Sequence, residues 1–277
     1  MKKLQVIIIG IFLACNLLGC AGTAHIKKIE TVKGVSIEKV EESLKERPRF
    51  QSGKRFIYLI AWNRIPVGRI IAEASDIRTY RDREAYVVKV VTESNRFLSK
   101  IYRVEDTYTS YIDAETMTSL HYEADRKEGN YRKHLVVEYD FEKMEAIYTN
   151  LTDGSVKKCA IEKNVQDPVS GLCNFMTLPA KPGEEVTMTV NLNMNNYVLS
   201  GKIEEIEVIA LPELGAFPAF KIRPYVKLKG EKVDKGKAWM YFTADEKRFP
   251  LYGVVIIPFG RVTATLRSVE EIDYEIH

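Results

Sequence analysis

The sequence predicts an all-β, mainly antiparallel fold: a strongly curved sheet or partly open β-barrel with one short helix around residues 168–177. From Phe56 onward, apolar residues recur with a period of two, which is typical of strands. Turn signals such as Asp153-Gly154 and Pro182-Gly183 separate these segments at short intervals, as in meandering antiparallel sheets. A helix-start signal interrupts the strands at Asp167-Pro168.

The first half of the predicted sheet contains nine apolar segments. They are Arg55–Trp62, Ile65–Ala74, Ala85–Thr92, Lys100–Asp106, Tyr108–Asp113, Ser119–Asp125, His134–Asp140, Glu145–Asn150 and Val156–Ile161. Ala85–Thr92 is apolar on both faces, as expected of a central strand. Gly68 lies inside the second segment, where glycine indicates a bulge or a close approach of two backbones.

The second half contains seven segments. They are Val186–Met194, Tyr197–Lys202, Ile203–Leu211, Phe220–Lys229, Ala238–Thr243, Leu251–Pro258 and Arg261–Ser268. The segments that begin at Val186 and Phe220 alternate strictly, which predicts one face on the core and one in water. Pro224 predicts that its strand lies at an edge or a bulge, because proline cannot donate a ladder hydrogen bond.

One helix is predicted between these halves. Asp167 is a favoured N-cap residue, Pro168 suits the first helical position, and the helix is expected to end near Pro179. Ser170 follows this start, but a nucleophilic serine needs a base and an oxyanion site, and no Gly-x-Ser-x-Gly elbow surrounds it. Capping therefore explains the segment, and we predict no catalytic residue.

The N-terminal twenty residues predict an export signal. Lys2 and Lys3 precede an apolar run from Val6 to Leu13, and the run is too short for a comfortable membrane span. Leu17-Leu18-Gly19-Cys20 resembles the lipobox of bacterial lipoproteins, which implies cleavage before Cys20 and acylation, with palmitate for example, of its thiol. An ordinary cleaved signal or an N-terminal membrane anchor is the alternative.

The predicted organisation has four parts. Residues 1–19 form a lipoprotein signal peptide, residues 20–50 a lipidated N-terminus and charged tether, residues 51–270 a single β-rich domain, and residues 271–277 a tail. No acidic residue follows Cys20 directly, and in Gram-negative bacteria an aspartate there resembles a mark for inner-membrane retention. We therefore expect an outer-membrane lipoprotein that faces the periplasm.

Charge and cysteine content limit the partners and cofactors. Without residues 1–19 the chain has 39 basic and 38 acidic residues, so no strong field attracts nucleic acid. Cys159 and Cys173 remain in the body, and the oxidising periplasm allows a disulfide between them; two buried thiols are the alternative. No phosphate loop, dinucleotide fingerprint or His-Glu-x-x-His motif is present, so no cofactor is predicted.

Two groups of side chains are candidate surface sites. Lys221, Arg223, Lys227 and Lys229 share one strand face and could contact an anionic surface; the alternative is that lysines guard an edge strand against aggregation. His121 and His134 flank a turn near Glu123 and Asp125, a set that contains metal-binding residue types. Ordinary hairpin residues explain the histidines, so no metal is predicted.

An ordered set of motifs resembles a bacterial envelope family catalogued only as a domain of unknown function. The motifs are Trp62-Asn63-Arg64-Ile65-Pro66-Val67-Gly68, Asp125 with Glu128-Gly129, Asp167-Pro168-Val169-Ser170, and Trp239 with Asp245-Glu246-Lys247-Arg248-Phe249-Pro250. The resemblance implies an exported, often lipidated β-rich domain and brings no catalytic residue. Asp245 and Arg248, just before Pro250, are expected to form a local ion pair that fixes a hairpin.

These observations predict a lipid-anchored envelope protein, not an enzyme. Its curved β domain is expected to bind an apolar or amphipathic envelope component, because curved sheets often hold one small molecule. The alternatives are a structural or assembly partner of envelope machinery that docks by strand addition, and an enzyme that acts on envelope polymers.

Overall fold

The structure, a computed structural model, describes residues 50–178, 181–233 and 237–272. The predictions for residues 1–19, for lipidation at Cys20, for the tether up to residue 49 and for the tail beyond residue 272 lie outside these residues. The strands are β1 Lys54–Trp62, β2 Ile65–Ala74, β3 Arg78–Tyr80, β4 Arg83–Ser94, β5 Glu105–Asp113, β6 Ser119–Glu128, β7 Tyr131–Asp140, β8 Glu145–Asn150, β9 Val156–Ala160, β10 Glu185–Leu192, β11 Asn195–Leu211, β12 Gly215–Leu228, β13 Glu231–Lys232, β14 Lys237–Thr243, β15 Pro250–Ile257 and β16 Gly260–Glu271. The helix α1 spans Pro168–Thr177, and a single 3-10 turn spans Leu98–Lys100.

The strands form one curled antiparallel sheet in the order β10-β11-β12-β14-β15-β16-β1-β2-β4-β5-β6-β7-β8-β9. β3 pairs with β4, and β13 pairs with β12. The sheet is not closed into a barrel, but its two outer strands approach each other. A parallel bridge joins Gln166 to Val190 in β10, and the Asn196 side chain donates to the carbonyl of Ala160 in β9 at 2.9 Å. This arrangement confirms the predicted fold class.

The concave side of the sheet contains the main apolar core. Alternate residues of β1, Phe56, Tyr58 and Ile60, are buried, as the period-two pattern predicts. They belong to a cluster that extends around the sheet to Tyr139 in β7 and Leu266 in β16. Fully burying a side chain of this size contributes about 1.5–3 kcal/mol, so this cluster is the main favourable term of folding.

Three segments differ from the prediction. The prediction of a strand over Lys100–Asp106 was wrong. The side chain of Asn95 accepts the Leu98 N–H at 2.8 Å and starts a 3-10 turn, so β5 begins only at Glu105. The segments Tyr197–Lys202 and Ile203–Leu211 form one strand, β11, which contains a bulge. β10 ends at Leu192, because the next two residues have positive φ angles and form the hairpin turn.

Gly68 lies at a bulge and at a close approach of two strands. The register between β1 and β2 shifts opposite it, between Ile60 and Ala61. A Cβ on Gly68 would lie 2.4 Å from the carbonyl oxygen of Glu93 in β4, so only glycine fits without movement. Pro224 pairs with Gly201 of β11, in a part of β12 that lies beyond its ladder with β14. Within the described residues, no helix has the length and apolar character needed to cross a bilayer.

Candidate functional site

The helix α1 begins at a complete capping box. The Asp167 carboxylate accepts the backbone N–H groups of Val169 at 2.6 Å and Ser170 at 2.9 Å. The Ser170 hydroxyl in turn accepts the Asp167 N–H at 2.9 Å, and Pro168 occupies the first turn. These bonds satisfy N–H groups that a helix start otherwise leaves without partners, so the predicted helix start is confirmed.

The same aspartate is bonded to two strands. Its second oxygen accepts the Ser110 hydroxyl of β5 at 2.6 Å and the Ser119 hydroxyl of β6. Ser119 also lies 2.8 Å from the Ser170 hydroxyl, and all four side chains are fully buried. Burial raises the pKa of Asp167, and the hydrogen bonds from Ser110 and Ser119 oppose that rise. Ser170 is thus part of a buried structural cluster.

Beyond its first turn, α1 presents an apolar surface. The Phe175 ring packs against Phe242 of β14 with a centroid distance of 4.9 Å. Gly171 approaches β10 so closely that an added Cβ would lie 3.4 Å from Val190 and 3.5 Å from the sulfur of Met188. The helix is therefore held by polar bonds at its start and by apolar packing along its length.

An apolar cleft lies between α1 and the sheet. Its cavity volume is about 40 Å³. The lining side chains come from α1, β10, β11, β12 and β14, and almost all are apolar: Pro168, Gly171, Leu172, Phe175, Val186, Met188, Val190, Leu199, Ser200, Gly201, Ile222, Pro224, Met240 and Phe242. This volume exceeds the roughly 10–15 Å³ that one water requires, but it does not accommodate an acyl chain without side-chain movement.

A second cavity continues the cleft towards β1 and β15. It has a volume of about 30 Å³ and is lined by Tyr58, Ile70, Leu172, Met240, Pro250, Tyr252, Gly253 and Ala264. Leu172 and Met240 line both cavities, so the two cavities lie next to the same two side chains. Methionine is flexible and fits irregular apolar shapes, so Met240 can adapt its conformation where the two cavities adjoin.

The other predicted site residues do not converge on this cleft. Cys159 in β9 and Cys173 in α1 are free thiols, so the disulfide that the sequence allowed is not formed. Burial raises the pKa of the Cys173 thiol, and the charge of Asp167 adds to the rise. Cys173 therefore acts as a small apolar core residue.

The basic stripe on β12 is not a uniform cationic surface. Lys221 contacts three glutamates of β11, at 3.7 Å for Glu204, 3.5 Å for Glu205 and 2.8 Å for Glu207. Burial lowers the pKa of Lys221, but the hydrogen bond and charge of Glu207 outweigh it and raise the pKa overall. These carboxylates offset the charge of Lys221, and its contact with an anionic surface stays a prediction.

The other cations of the stripe, Arg223, Lys227 and Lys229, lie near the end of β12. Lys227 packs over the Tyr225 ring, with its Nζ 5.4 Å from the centroid. Lys229 lies in the turn after the strand with a φ of 51°. Their contact with an anionic surface stays a prediction.

The two histidines pair with glutamates on neighbouring strands. His134 lies 2.5 Å from Glu123, and His121 lies 2.7 Å from Glu138, so the histidines occupy separate pairs. Within residues 50–178, 181–233 and 237–272, no group of three or more histidine, cysteine or acidic side chains is arranged to hold a metal ion.

A buried charged cluster was missed by sequence reasoning. Asp106 of β5 and Glu128 of β6 are almost inaccessible, and both lie beside Arg126. Burial raises the pKa of both carboxyl groups, and Arg126 opposes the rise. The Tyr108 hydroxyl donates to Asp106 at 3.0 Å. The sequence signal was the acidic pair Glu105-Asp106 between Val104 and Tyr108.

A family model described as "Protein of unknown function (DUF3108)" matches residues 57–267, which include all of α1 and every described strand, with only the outer ends of β1 and β16 beyond the match. The chain belongs to the DUF3108 family. This confirms the resemblance to a family of unknown function that the ordered motifs predicted. No curated protein matches the chain.

The final DUF3108 motif forms the connection from β14 to β15. Asp245 accepts the Lys247 and Arg248 backbone N–H groups, both at 3.1 Å. The Arg248 guanidinium extends inward, where it lies 4.8 Å from the Phe220 ring centroid and donates to the Leu178 carbonyl at 3.3 Å. Asp245 thus contacts Arg248 through the backbone, and the guanidinium links the hairpin to the end of α1. The Pro250 carbonyl accepts the Tyr58 hydroxyl at 2.9 Å.

Solved structures resemble this DUF3108 chain in fold. A β-barrel-like protein of the DUF1849 domain from Brucella abortus has 8% sequence identity and a TM-score of 0.57, over 81% of this chain and 99% of that chain. A Bacteroides fragilis protein described as exported, with a YmcC-like fold, has 11% identity and a TM-score of 0.34, over 80% of this chain and 97% of that chain. A protein described as a lipoprotein from Parabacteroides distasonis has 7% identity and a TM-score of 0.35, with the same coverage. The first of these shows a shared fold.

Proposed function

We propose that the protein is an outer-membrane lipoprotein, anchored through Cys20 and facing the periplasm, whose curled sheet binds an apolar or amphipathic envelope component beside α1. The observation that carries the binding proposal is the cleft itself, in which apolar side chains of α1 face those of β10, β12 and β14. Ligand pockets are concave and mainly apolar, with few polar groups. The anchor and the location rest on the Leu17-Leu18-Gly19-Cys20 sequence.

A bound chain would occupy both cavities. Leu172 and Met240 line both of them, so an extended apolar chain would displace these two side chains and bury its own surface in their place. The polar start of α1 does not need to move, because Asp167 is bonded to β5 and β6, away from this displacement.

The experiment is native mass spectrometry of the full chain purified from its membrane. We expect a co-purified apolar molecule on the unaltered chain and its loss from Leu172→Trp, whose larger side chain fills space where the two cavities adjoin. Ile77→Trp is the matched control, because Ile77 is exposed in the connection between β2 and β3, where it lines neither cavity. Equal recovery of ligand from both variants, or none from the unaltered chain, contradicts the proposal.

The anchor is tested separately. Metabolic labelling with a fatty-acid probe should mark the unaltered chain and leave Cys20→Ala unmarked. Fractionation should then place the unaltered chain in the outer membrane. An unmarked wild-type chain removes the anchor and leaves the cleft proposal intact.

Strand addition by a protein partner is the second candidate. β9 lies at one end of the strand order and pairs in the sheet with β8, so its other edge faces outward along most of its length. Its exposed Lys157 and Lys158 are residues that protect edges against promiscuous pairing, so such a partner would need acidic side chains. Crosslinking from Lys158 in cells should capture one stoichiometric protein if this reading holds, and none if it does not.

A further inference from the structure

The two ends of the curled sheet differ in composition. Because neighbouring strands are antiparallel, successive connections alternate between two ends. We call one end the basic rim; it consists of the connections after β1, β4, β6, β8, β10, β12 and β15, at residues 63–64, 95–104, 129–130, 151–155, 193–194, 229–230 and 258–259. We call the other end the acidic rim; it consists of residues 75–77, 81–82, 114–118, 141–144, 212–214 and 244–249.

Exposed apolar side chains concentrate at the basic rim. The described residues include ten large exposed hydrophobic side chains, and eight of them lie in or directly beside basic-rim connections. The eight are Trp62, Ile65, Phe97, Ile101, Leu151, Val156, Met194 and Phe259. The other two, Ile77 and Met144, lie at the acidic rim. Single exposed hydrophobic residues are common on any surface, but their collection at one end indicates an interaction site.

Charged residues also differ between the two rims. The basic-rim connections contain five basic residues and one acidic residue. The acidic-rim connections contain seven acidic and four basic residues. The molecule is therefore electrically asymmetric along the strand direction, although its net charge is close to zero.

Three neighbouring connections of the basic rim form a continuous, hydrogen-bonded patch. The Trp62 indole N–H donates to the Phe259 carbonyl at 3.1 Å, which joins the β1–β2 and β15–β16 turns. The Asn95 side chain donates to the Pro66 carbonyl at 2.6 Å, which joins β2 to the β4–β5 connection. The rim patch comprises the apolar side chains Trp62, Ile65, Phe97, Ile101 and Phe259 and the exposed cations Arg64, Arg96 and Lys100.

We propose that the rim patch docks on the surface of an anionic lipid bilayer. Phe97 is 68% exposed and Ile101 is 77% exposed, so both can enter the boundary between headgroups and acyl chains without unfolding. Trp62 has an amphipathic ring of the kind enriched at that depth. Arg64, Arg96 and Lys100 lie beside these side chains, where they would meet anionic headgroups.

The asymmetry of charge argues for a membrane and sets the orientation. An anionic surface attracts the basic rim and repels the acidic rim. The strands would therefore lie roughly perpendicular to the membrane surface, with the acidic rim facing away from it. This inference does not depend on the cleft ligand. It gives the domain a membrane contact of its own, in addition to the proposed acyl anchor.

Trp62 reports the contact directly. The chain has two tryptophans, so Trp239→Phe leaves Trp62 as the only indole. The full chain with this change is mixed with vesicles of phosphatidylcholine and phosphatidylglycerol that contain brominated acyl chains. We expect strong quenching of Trp62 fluorescence by bromine near the headgroups. Quenching no greater than in vesicles without phosphatidylglycerol overturns the proposal.

Vesicle flotation measures the contribution of each side-chain class. The full chain with Cys20→Ser, which can receive no acyl chain at that position, is the reference. Each substitution of Arg64, Arg96 or Lys100 by glutamine should lower partitioning by a factor of roughly 5. The double variant Phe97→Ser/Ile101→Ser should lower it by more than about ten-fold.

Matched controls come from the acidic rim. Ile77→Ser/Met144→Ser removes two exposed apolar side chains, and Lys143→Gln removes an exposed cation, all away from the patch. These variants should bind vesicles as the reference does, and circular dichroism should report equal folding for all. If the rim-patch variants and the control variants lose equal amounts of vesicle binding, the proposal is overturned. The same result is expected if the patch binds a protein and not a membrane.

Discussion

Replacement of Asp167 by alanine should cause the largest loss of stability of any single polar substitution at α1. The change removes the N-cap of the helix, which typically costs about 1 kcal/mol. It also leaves the buried hydroxyls of Ser110 and Ser119 without their shared acceptor, at about 1–3 kcal/mol each. Ser119 can turn towards Ser170, and the cost of burying a carboxylate is recovered, so we expect the lower end: about 3 kcal/mol in total.

Asp167→Asn separates the hydrogen bonds from the charge. The asparagine carbonyl can still accept the two backbone N–H groups, and its amide can donate to the serine oxygens, so the loss should be nearer 1 kcal/mol. The folded pKa of Asp167 is raised above its unfolded value by burial. The contribution of this raised pKa to the free energy of unfolding is therefore fully present below the unfolded pKa of Asp167, and it is lost as the pH rises through the folded pKa. The asparagine variant should lack this component of the pH dependence.

Urea unfolding followed by circular dichroism, between about pH 3 and pH 8, measures both effects, because this range begins below the pKa of an aspartate in the unfolded chain. Asp153→Ala is the control, because Asp153 also accepts a backbone N–H, from Ser155 at 2.9 Å, but lies in an exposed turn. It should change the free energy of unfolding by no more than about 0.5 kcal/mol. If Asp167→Ala costs no more than this control, the buried cluster does not hold the helix and the reasoning fails.

Three further predictions test other parts of the sheet. Gly68→Ala should lower the free energy of unfolding by more than about 1 kcal/mol in urea titrations, because its Cβ would meet the Glu93 carbonyl; an unchanged midpoint contradicts this. Cys173 should resist alkylation in the folded protein, because burial removes its thiol from solvent and raises its pKa; peptide mass spectrometry should find Cys159 modified first. Glu128→Gln should flatten the decline of thermal stability with rising pH, because burial raises the folded pKa of Glu128 and its contribution is lost above that value; parallel curves would refute the assignment.

Local signals were sufficient to predict α1 and insufficient to predict where it lies. Asp167 and Pro168 act within one helical turn, so the sequence pattern locates the helix start. The partners Ser110 and Ser119 are 57 and 48 residues away in the chain, and neither looks unusual among strand residues. Only the register of β5 against β6 brings them to the same aspartate.

Strand register also determines the surroundings of Lys221, which the sequence did not predict. Its alternating neighbours correctly predicted a strand with one basic face. The charge of that face depends on β11, where Glu205 lies directly opposite Lys221 and Glu207 lies nearby. A shift of one residue would have turned the glutamates to the other face, and the sequence alone does not specify that pairing.

The two ends of α1 have different roles, because its start is held by polar bonds and its later residues make apolar contacts. At its start, Asp167 is bonded to β5 and β6, and these bonds would be lost if the first turn moved. Further along, Leu172 and Phe175 make apolar contacts, which are non-directional and can be exchanged for contacts with a ligand of similar surface. A bound chain would therefore enter on the side of Leu172 while the capping box stays intact. Asp167→Ala should therefore mainly lower the free energy of unfolding, with a smaller effect on the amount of ligand recovered from folded protein. Leu172→Trp should mainly lower the amount of ligand recovered, with a smaller effect on the free energy of unfolding.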